Sequence, residues 1–509
     1  MSCGDHRRWA RHLLPVLIAA AALFVLGVRE QTGAQTRSSI RDAAQPNILW
    51  ILAEDMGPDL GADGTPEART PNLDRLAARG MRFTNAFTTA PVCSPSRSAL
   101  MTGMYQTSIG AHNHRSHRPE DPSAYPFPLP DGVRLISDWL QEAGYATANI
   151  VHFPEGTGFR GTGKTDWNFS YEGKPFDVDR WADLKRRQPF YAQINFPETH
   201  RGKEWDEAHE HVTRPADPKK VRIPPYYPDH PVVRQDWAQY LNAVMALDRK
   251  VGVVLDLLER EGLAERTVVI FMGDNGRAML RGKQWPYDSG LHVPLVIYWP
   301  TGIPAPERYR AGTVSDQLIS SIDVTATTLA IAGAEKPVKM QGRIFLGRNA
   351  DQPRDLLFGG RDRGDETVDR IRTVRSERYR YIRNNYPERP FLQTNRYKEV
   401  NYPAIWVMRK LHQEGKLTPV QARLLALTRP REELYDLRRD PYETVNLAGS
   451  PAFRKPLVEL RTALDRWIEE TDDQGRIPEG PAVAKYYEQR ARERSDERIN
   501  ELRAKWGVR

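Results

Sequence analysis

Apolar positions along the chain follow two alternating patterns. Asn47–Ala53 (Asn-Ile-Leu-Trp-Ile-Leu-Ala) and Thr267–Met272 are almost unbroken apolar runs, as expected of strands buried on both faces. Tyr145–Val151, Phe190–Phe196 and Val293–Trp299 read as further strands, and Met81–Thr84 as extended. Helical punctuation separates them. Thr70-Pro71-Asn72-Leu73 opens a helix with a cap and a first-turn proline, and Gly80 closes it. Ser137–Ala143 stops at Gly144. Trp237–Glu261 carries Leu241, Val244, Met245, Leu247, Val251, Val254, Leu255 and Leu258 before Gly262, and Ile322–Ala332 is an apolar helix. Strand–helix alternation with apolar-throughout strands predicts an α/β fold with a mostly parallel sheet covered by helices.

After residue 353 the pattern shortens. Asp355–Gly359, Arg370–Val374, Tyr379–Arg383 and Glu433–Leu437 read as short antiparallel strands. The expected organisation is a principal body over 46–352, a smaller C-terminal α+β domain over 353–484, and a charged, solvated helical tail over 485–509. At the other end, Arg7, Arg8 and Arg11 precede the apolar run Leu13–Val28. This reads as an export signal within 1–34, leading to a periplasmic or extracellular protein. A small-x-small cleavage site is missing, so an uncleaved N-terminal anchor is the alternative.

Composition narrows the classes. Across 509 residues, 12 Trp, 20 Tyr and 15 Phe supply a large core and exclude a disordered chain. The 39 Pro and 36 Gly have no period, which excludes collagen and simple repeats. The net charge is +8, and it is still +6 without residues 1–34, which hold four Arg and two acids. Zinc-finger spacing, an RRM signature and basic stripes interleaved with aromatics are all missing, so no nucleic-acid partner is expected. Two cysteines, Cys3 and Cys93, exclude a disulfide framework and a Cys-based metal centre. Signal cleavage leaves Cys93 alone in an exported protein, where a lone thiol is usually avoided or put to use.

The chemistry gathers at strand ends. Asn47–Ala53 runs into Glu54-Asp55, and Thr267–Met272 into Gly273-Asp274-Asn275-Gly276. Ligands of open α/β sheets sit outside the carboxyl ends of the strands, so three carboxylates and an amide face one crevice. Each motif alone also reads as a loop cap or turn; together they favour a hard cation, calcium or magnesium rather than zinc. Between them, Ser94–Thr102 has helix-start character with Pro95 in the first turn and Gly103 at the stop. That places Cys93 at a helix N-terminus, where free N–H groups and the dipole favour an anion, with Arg97 on the first turn. The alternative is a buried structural cysteine.

Cys93-Ser94-Pro95-Ser96-Arg97 matches the C-x-P-S-R signature of type I sulfatases. The segments 47–57, 70–77 and 273–276, Lys283, and 434–447 (Leu-Tyr-Asp-Leu-Arg-Arg-Asp-Pro-Tyr-Glu-Thr-Val-Asn-Leu) extend the match over nearly the whole exported chain. The chain thus resembles the formylglycine-dependent sulfatases, and its C-terminal pattern resembles the branch containing N-sulfoglucosamine sulfohydrolase, the heparan N-sulfatase.

The resemblance implies an alkaline-phosphatase-like fold and conversion of Cys93 to Cα-formylglycine by a formylglycine-generating enzyme. One hydroxyl of the hydrated aldehyde attacks sulfur and the ester oxygen leaves; the other then expels sulfate by reforming the aldehyde. A bound Ca2+, with Mg2+ the lesser candidate, is implied as Lewis acid and template. Its implied ligands are Glu54, Asp55, Asp274, Asn275 and the oxygen on residue 93, with Glu54 standing where the family usually has Asp. Arg97 is implied to hold the diol and Lys283 to contact the sulfate. Lys164 lies in a segment resembling the family's Gly-Lys-x-His, with Asp166 in place of the histidine. His200 is the expected general acid or sulfate contact, and His152 the weaker alternative.

His112, His114 and His117 make a poor metal cluster, since no carboxylate that would orient their rings is identifiable. His112 and His114, with His152, are instead candidates for the substrate pocket. Trp285 and Tyr287 read either as a platform for a sugar or as ordinary packing. The expected function is hydrolysis of a sulfate ester or N-sulfate, on a sulfated glycan rather than an aryl sulfate. Two alternatives stay open: a phosphonate or phosphate ester hydrolase of the same superfamily, and an unmodified, inactive glycan-binding relative.

Overall fold

The computed structural model describes residues 45–115, 127–347 and 349–508. Cys3, the N-terminal arginines, the apolar run 13–28 and His117 lie outside the described residues. Among those described, no helix is long and apolar enough to cross a membrane.

In chain order the elements are β1 Asn47–Ala53, α1 Pro71–Arg79, β2 Met81–Phe87, α2 Cys93–Thr102, α3 Ile136–Glu142, β3 Ala146–His152, β4 Val178–Arg180, β5 Phe190–Phe196, α4 Pro231–Arg260, β6 Thr267–Gly273, β7 Leu295–Tyr298, β8 Thr313–Ser320 and α5 Ser321–Ile331. There follow β9 Leu357–Arg361, β10 Ile371–Arg375, β11 Tyr379–Asn384, α6 Arg396–Asn401, α7 Pro403–Gln413, β12 Glu432–Asp436, α8 Arg454–Glu470 and α9 Pro481–Trp506. Eight strands form one sheet in the order β4-β3-β5-β1-β6-β7-β2-β8, and four form a second, β12-β11-β10-β9.

The large sheet is mixed, with β7 antiparallel to both β6 and β2 while the other pairings are parallel. The second sheet is antiparallel throughout. The central strands β1, β5 and β6 are buried along their whole length, which is why they are apolar on both faces. Alternate side chains feed two cores: Leu49, Ile51 and Ala53 pack with α4 on one side, and Ile48, Trp50 and Leu52 with α5 on the other.

One register fixes the site. Ala53 at the end of β1 pairs with Phe196 at the end of β5 and with Gly273 at the end of β6. The three chains therefore leave the sheet side by side, at their carboxyl ends.

Candidate active site

Glu54 and Asp55 leave β1, Pro197–His200 leaves β5, and Asp274 and Asn275 leave β6. Backbone bonds stitch these exits together: Glu54 N donates to Phe196 O (3.1 Å) and Asp274 N to Ala53 O (3.0 Å), while the Thr199 hydroxyl donates to the Glu54 carbonyl. Asp55 has φ +52°, a left-handed conformation that a non-glycine residue holds only when its surroundings enforce it. In it, Asp55 N donates to Asp274 Oδ1 (2.9 Å). Gly276 lets this loop close, since a Cβ there stands 2.5 Å from Ser289 O.

Facing these acids, α2 begins at Cys93 itself, with Val92 as the cap residue, one position earlier than the sequence suggests. All ten residues of α2 are buried, and no side chain caps its first turn. The buried Cys93 therefore stands at the positive end of the helix, where first-turn N–H groups lack a side-chain cap. One turn on, Arg97 Nε donates to Asp274 Oδ2 (2.8 Å) and its Nη1 to Asn195 Oδ1 on β5 (2.5 Å). Lys164 Nζ donates to Glu54 Oε2 (2.9 Å) and lies 3.4 Å from Asp166 Oδ2. Lys283 Nζ donates to Asp55 Oδ2 (2.7 Å).

Burial disfavours charge on both lysines. Cys93, Glu54 and Asp166 overcome this at Lys164, and Asp55 and Cys93 at Lys283, holding each ammonium above the ordinary lysine value. Burial also opposes ionisation of the acids. Lys283 and His200 nevertheless hold Asp55 below the usual carboxylate range. Asp274, with Asp55 and Glu54 adding negative field, is pushed up to about 6 in spite of Arg97.

Asp55, Asp274 and Asn275 fit a hard cation by their donor chemistry. Asn275 Nδ2 donates to Asp55 Oδ1 (2.8 Å), while its buried carbonyl oxygen Oδ1 has no hydrogen-bond partner. An orphaned buried oxygen on a side chain bonded to a carboxylate is available as a cation ligand. Among the described residues no three His, Cys, Asp or Glu side chains close a cage on their own. Each acid is instead held by a cationic side chain, and Glu54 is turned toward Lys164.

The histidines separate. His200 Nε2 lies 3.9 Å from Asp55 Oδ2, and burial together with Lys283 lowers its pKa. His114 Nδ1 lies 3.0 Å from Asp365 Oδ1. Burial opposes its charge, but Asp365 and Cys93 push it up to about 9. His112 does not join them. It is buried beside Arg372, Arg115, Asp473 and Glu479, and burial with the two arginines pushes it down to about 3. His152 is half-exposed, 3.7 Å from Asp179 and 3.5 Å from Arg160. Trp285 stacks flat on Phe391 at 4.3 Å, and Tyr287 donates to Glu433 (2.8 Å); both are buried, so neither is a platform for a sugar.

Several side chains that carry no motif in the sequence border the site. Lys398 Nζ donates to Lys283 O (2.6 Å), and the Tyr397 ring lies 5.7 Å from Lys283 Nζ. Asp365 accepts from Gln284 Nε2 (3.2 Å) and Asn395 Nδ2 (3.4 Å). All but Gln284 arrive from beyond residue 360. Gln284 alone among them directly follows an assigned residue, Lys283.

Comparison with known proteins agrees with this geometry. The sulfatase family profile matches residues 46–334, more than half of the chain. The chain belongs to the sulfatase family. A second profile, for the C-terminal region of N-sulphoglucosamine sulphohydrolase, matches residues 276–398, the stretch that brings Lys283, Asp365 and Lys398 to the site. An ulvan-active sulfatase of Formosa agariphila is 34% identical over 87% of this chain and 78% of its own length. The human N-sulphoglucosamine sulphohydrolase is 29% identical over 90% and 94%. Among solved structures, a 2-O GAG sulfatase superposes with a TM-score of 0.61 at 20% identity, covering 86% of this chain and 96% of that one. This sulfatase therefore has the alkaline-phosphatase-like fold expected of it, and its family hydrolyses sulfuric esters.

Proposed function

We propose that this sulfatase is an exported enzyme that removes sulfate from a sulfated glycan, using a formylglycine formed from Cys93 and a bound divalent cation, calcium before magnesium. The observation that carries the reading is the buried Cys93 at the head of α2, with Arg97 one turn on bound to Asp274, and the Asp55–Asn275 pair with its orphaned amide carbonyl. Such a site favours a tetrahedral oxyanion at residue 93. A glycan substrate is supported by relatives named for ulvan and for N-sulphoglucosamine.

Each side chain then has a task. Lys164 and Lys283 neutralise the sulfate. Arg97, fixed by Asp274 and Asn195, keeps residue 93 at the head of α2. His200, beside Asp55, supplies a proton to the departing ester oxygen. Asp55, Asp274 and Asn275, with Glu54 as the outer ligand, would hold the cation, which supplies Lewis acidity when bound.

The deciding experiment is the mass of the tryptic peptide Phe83–Arg97 from protein matured in its own host, joined to sulfate release from heparin disaccharides and from aryl sulfates. The expected result is a peptide carrying CHO in place of CH2SH, and turnover of the glycan sulfate. An unmodified thiol overturns the mechanism; turnover of aryl sulfates alone overturns the substrate. Added calcium is expected to raise the unfolding midpoint of the wild type and not that of D274N.

A further inference from the structure

Around the buried indole of Trp285, donors accumulate that nothing among the described residues receives. Arg361, the last residue of β9, is 3% exposed, and its Nε and Nη1 have no hydrogen-bond partner. Trp285, two residues beyond Lys283, is 3% exposed, and its Nε1 is likewise unpartnered. Lys398 on α6 is 2% exposed, and its Nζ makes one hydrogen bond among the described residues, to Lys283 O (2.6 Å). Both cations lie over the Trp285 ring, Arg361 Cζ at 4.8 Å and Lys398 Nζ at 5.6 Å from its centre. The carboxylates nearby are already engaged. Asp369 Oδ2 stands 3.7 Å from Arg361 Nη1, but Asp369 accepts from Arg429 (2.9 and 2.7 Å) and from Gln393 (2.8 Å). Asp362, next in sequence, turns to Arg372 (3.0 Å), and Asp365 to His114 (3.0 Å), Gln284 and Asn395. Burial, outweighing Asp369, pushes Arg361 down to about 10. Burial with the charges of Arg361 and Lys283 draws Lys398 well below the ordinary lysine value.

We propose that Arg361, Lys398 and Trp285 bind a small monovalent anion, chloride, inside the fold. The inference stands apart from the function proposed above, since it needs neither formylglycine nor a divalent cation. Buried cations persist where something of opposite sign compensates them, and a lining of donors alone selects an anion. A water molecule could accept from these three groups, but none of them offers an acceptor for its own hydrogens. Their burial also excludes the carboxylate or sulfate of a glycan, which would have to bring the sugar with it. A single charge costs less to desolvate than the two of phosphate or sulfate, which suits a site beside the stacked rings of Trp285 and Phe391. Lys398 holds the carbonyl of Lys283, whose ammonium meets Asp55. A bound ion would therefore steady the turn that presents Lys283 to the site.

The test compares unfolding midpoints of the full chain in sodium chloride and in sodium gluconate at equal ionic strength, gluconate being too large for a buried site. Chloride is expected to raise the wild-type midpoint saturably, by on the order of 2 °C. R361M and K398M each remove one cation at similar volume, and Arg429 still serves Asp369 in both. Each variant is expected to lose most of the chloride-dependent gain. A wild type indifferent to chloride overturns the proposal, and so does a gain that survives in both variants, because it then belongs to another site. Wild-type crystals grown in sodium bromide give a reading that needs no variant. An anomalous peak beside Arg361, Lys398 and Trp285 Nε1 is expected there, and ordered water without such a peak overturns the proposal. Neither measurement uses sulfate release, so the outcome is independent of whether the catalytic reading holds.

Discussion

Cys93 occupies the one position in α2 where the helix has N–H groups to give and no side chain to receive them. A serine there keeps the volume and offers a hydroxyl that attacks sulfur: the Oγ–S bond forms, the ester oxygen departs with a proton, and no second hydroxyl remains to expel sulfate. C93S is therefore expected to release one equivalent of leaving group and then stop, with the Phe83–Arg97 peptide heavier by SO3; continued turnover refutes the two-hydroxyl mechanism. A few residues on, two histidines of one loop show how surroundings override identity. His114, facing Asp365 and Cys93, is pushed up to about 9, and His112, buried against Arg372 and Arg115 with Asp473 and Glu479 opposing them, is pushed down to about 3. An unfolded imidazole titrates near 6.5. His112 thus contributes stability that is complete above about pH 6.5 and is lost as pH falls toward about 3. In urea denaturation, the wild type is expected to lose up to about 2 kcal/mol between pH 7 and pH 5 from this group. H112N is expected to flatten that slope, and an unchanged slope refutes the assignment.

At the scale of elements, α1 is held by its neighbour rather than by its own cap. Thr70 makes no capping bond; Asp248 of α4 instead accepts from Leu73 N (2.7 Å), Asn72 N (3.3 Å) and Asn72 Nδ2 (2.9 Å). D248A leaves two helix-start N–H groups without this acceptor, so an unfolding free energy lower by about 1–3 kcal/mol is expected from denaturant titration. The sequence places α1 from Pro71 and Gly80 because those signals are local, but the Asp248 bond spans 175 residues and leaves no local trace. The same distinction governs the rest of the fold. β1, β5 and β6 are legible because burial on both faces demands apolar residues throughout. β8 is missed because Thr313–Ser320 alternates at a sheet margin, and β7 reads as a strand without revealing that it runs antiparallel. α4 begins at Pro231, six residues before the expected Trp237, because His230 Nδ1 accepts from Val232 N (3.2 Å). In the site, Glu54, Asp55, Asp274, Asn275, Cys93 and Arg97 are legible as motifs at strand and helix ends. Asp365, Tyr397 and Lys398 are not, because only the packing of the second sheet brings them near.

Across the whole molecule, the second sheet reaches the site through buried charge. Arg372 on β10 is fully buried, with Nε and Nη2 donating to Asp473 (2.5 and 2.8 Å) and Nη2 also to Asp362 (3.1 Å). Gln474 N donates to Thr107 O (3.0 Å), and Glu479 accepts from both Arg115 (3.4 Å) and Arg363 (2.5 Å). The segment between α8 and α9 therefore ties the loop after α2, which carries His114, to the edge of the second sheet. Magnitudes decide which of the chain's many ion pairs matter. The Arg492–Glu488 pair on α9 is about half exposed at both ends, and such pairs contribute little, so R492A is expected to stay within about 0.5 kcal/mol of the wild type. R372M is different, because it leaves Asp473 and Asp362 buried without their counter-charge. It is expected to cost about 3–5 kcal/mol, read from the urea midpoint. Adding D473N, which removes one of the stranded charges, is expected to recover part of that loss, so the double-mutant cycle should show strong coupling. Because this cluster holds the loop of His114, R372M is also expected to lower sulfate release in the fraction that remains folded. Simple additivity of R372M and D473N, with activity per folded molecule unchanged, would mean that the second sheet stabilises the body without shaping the site.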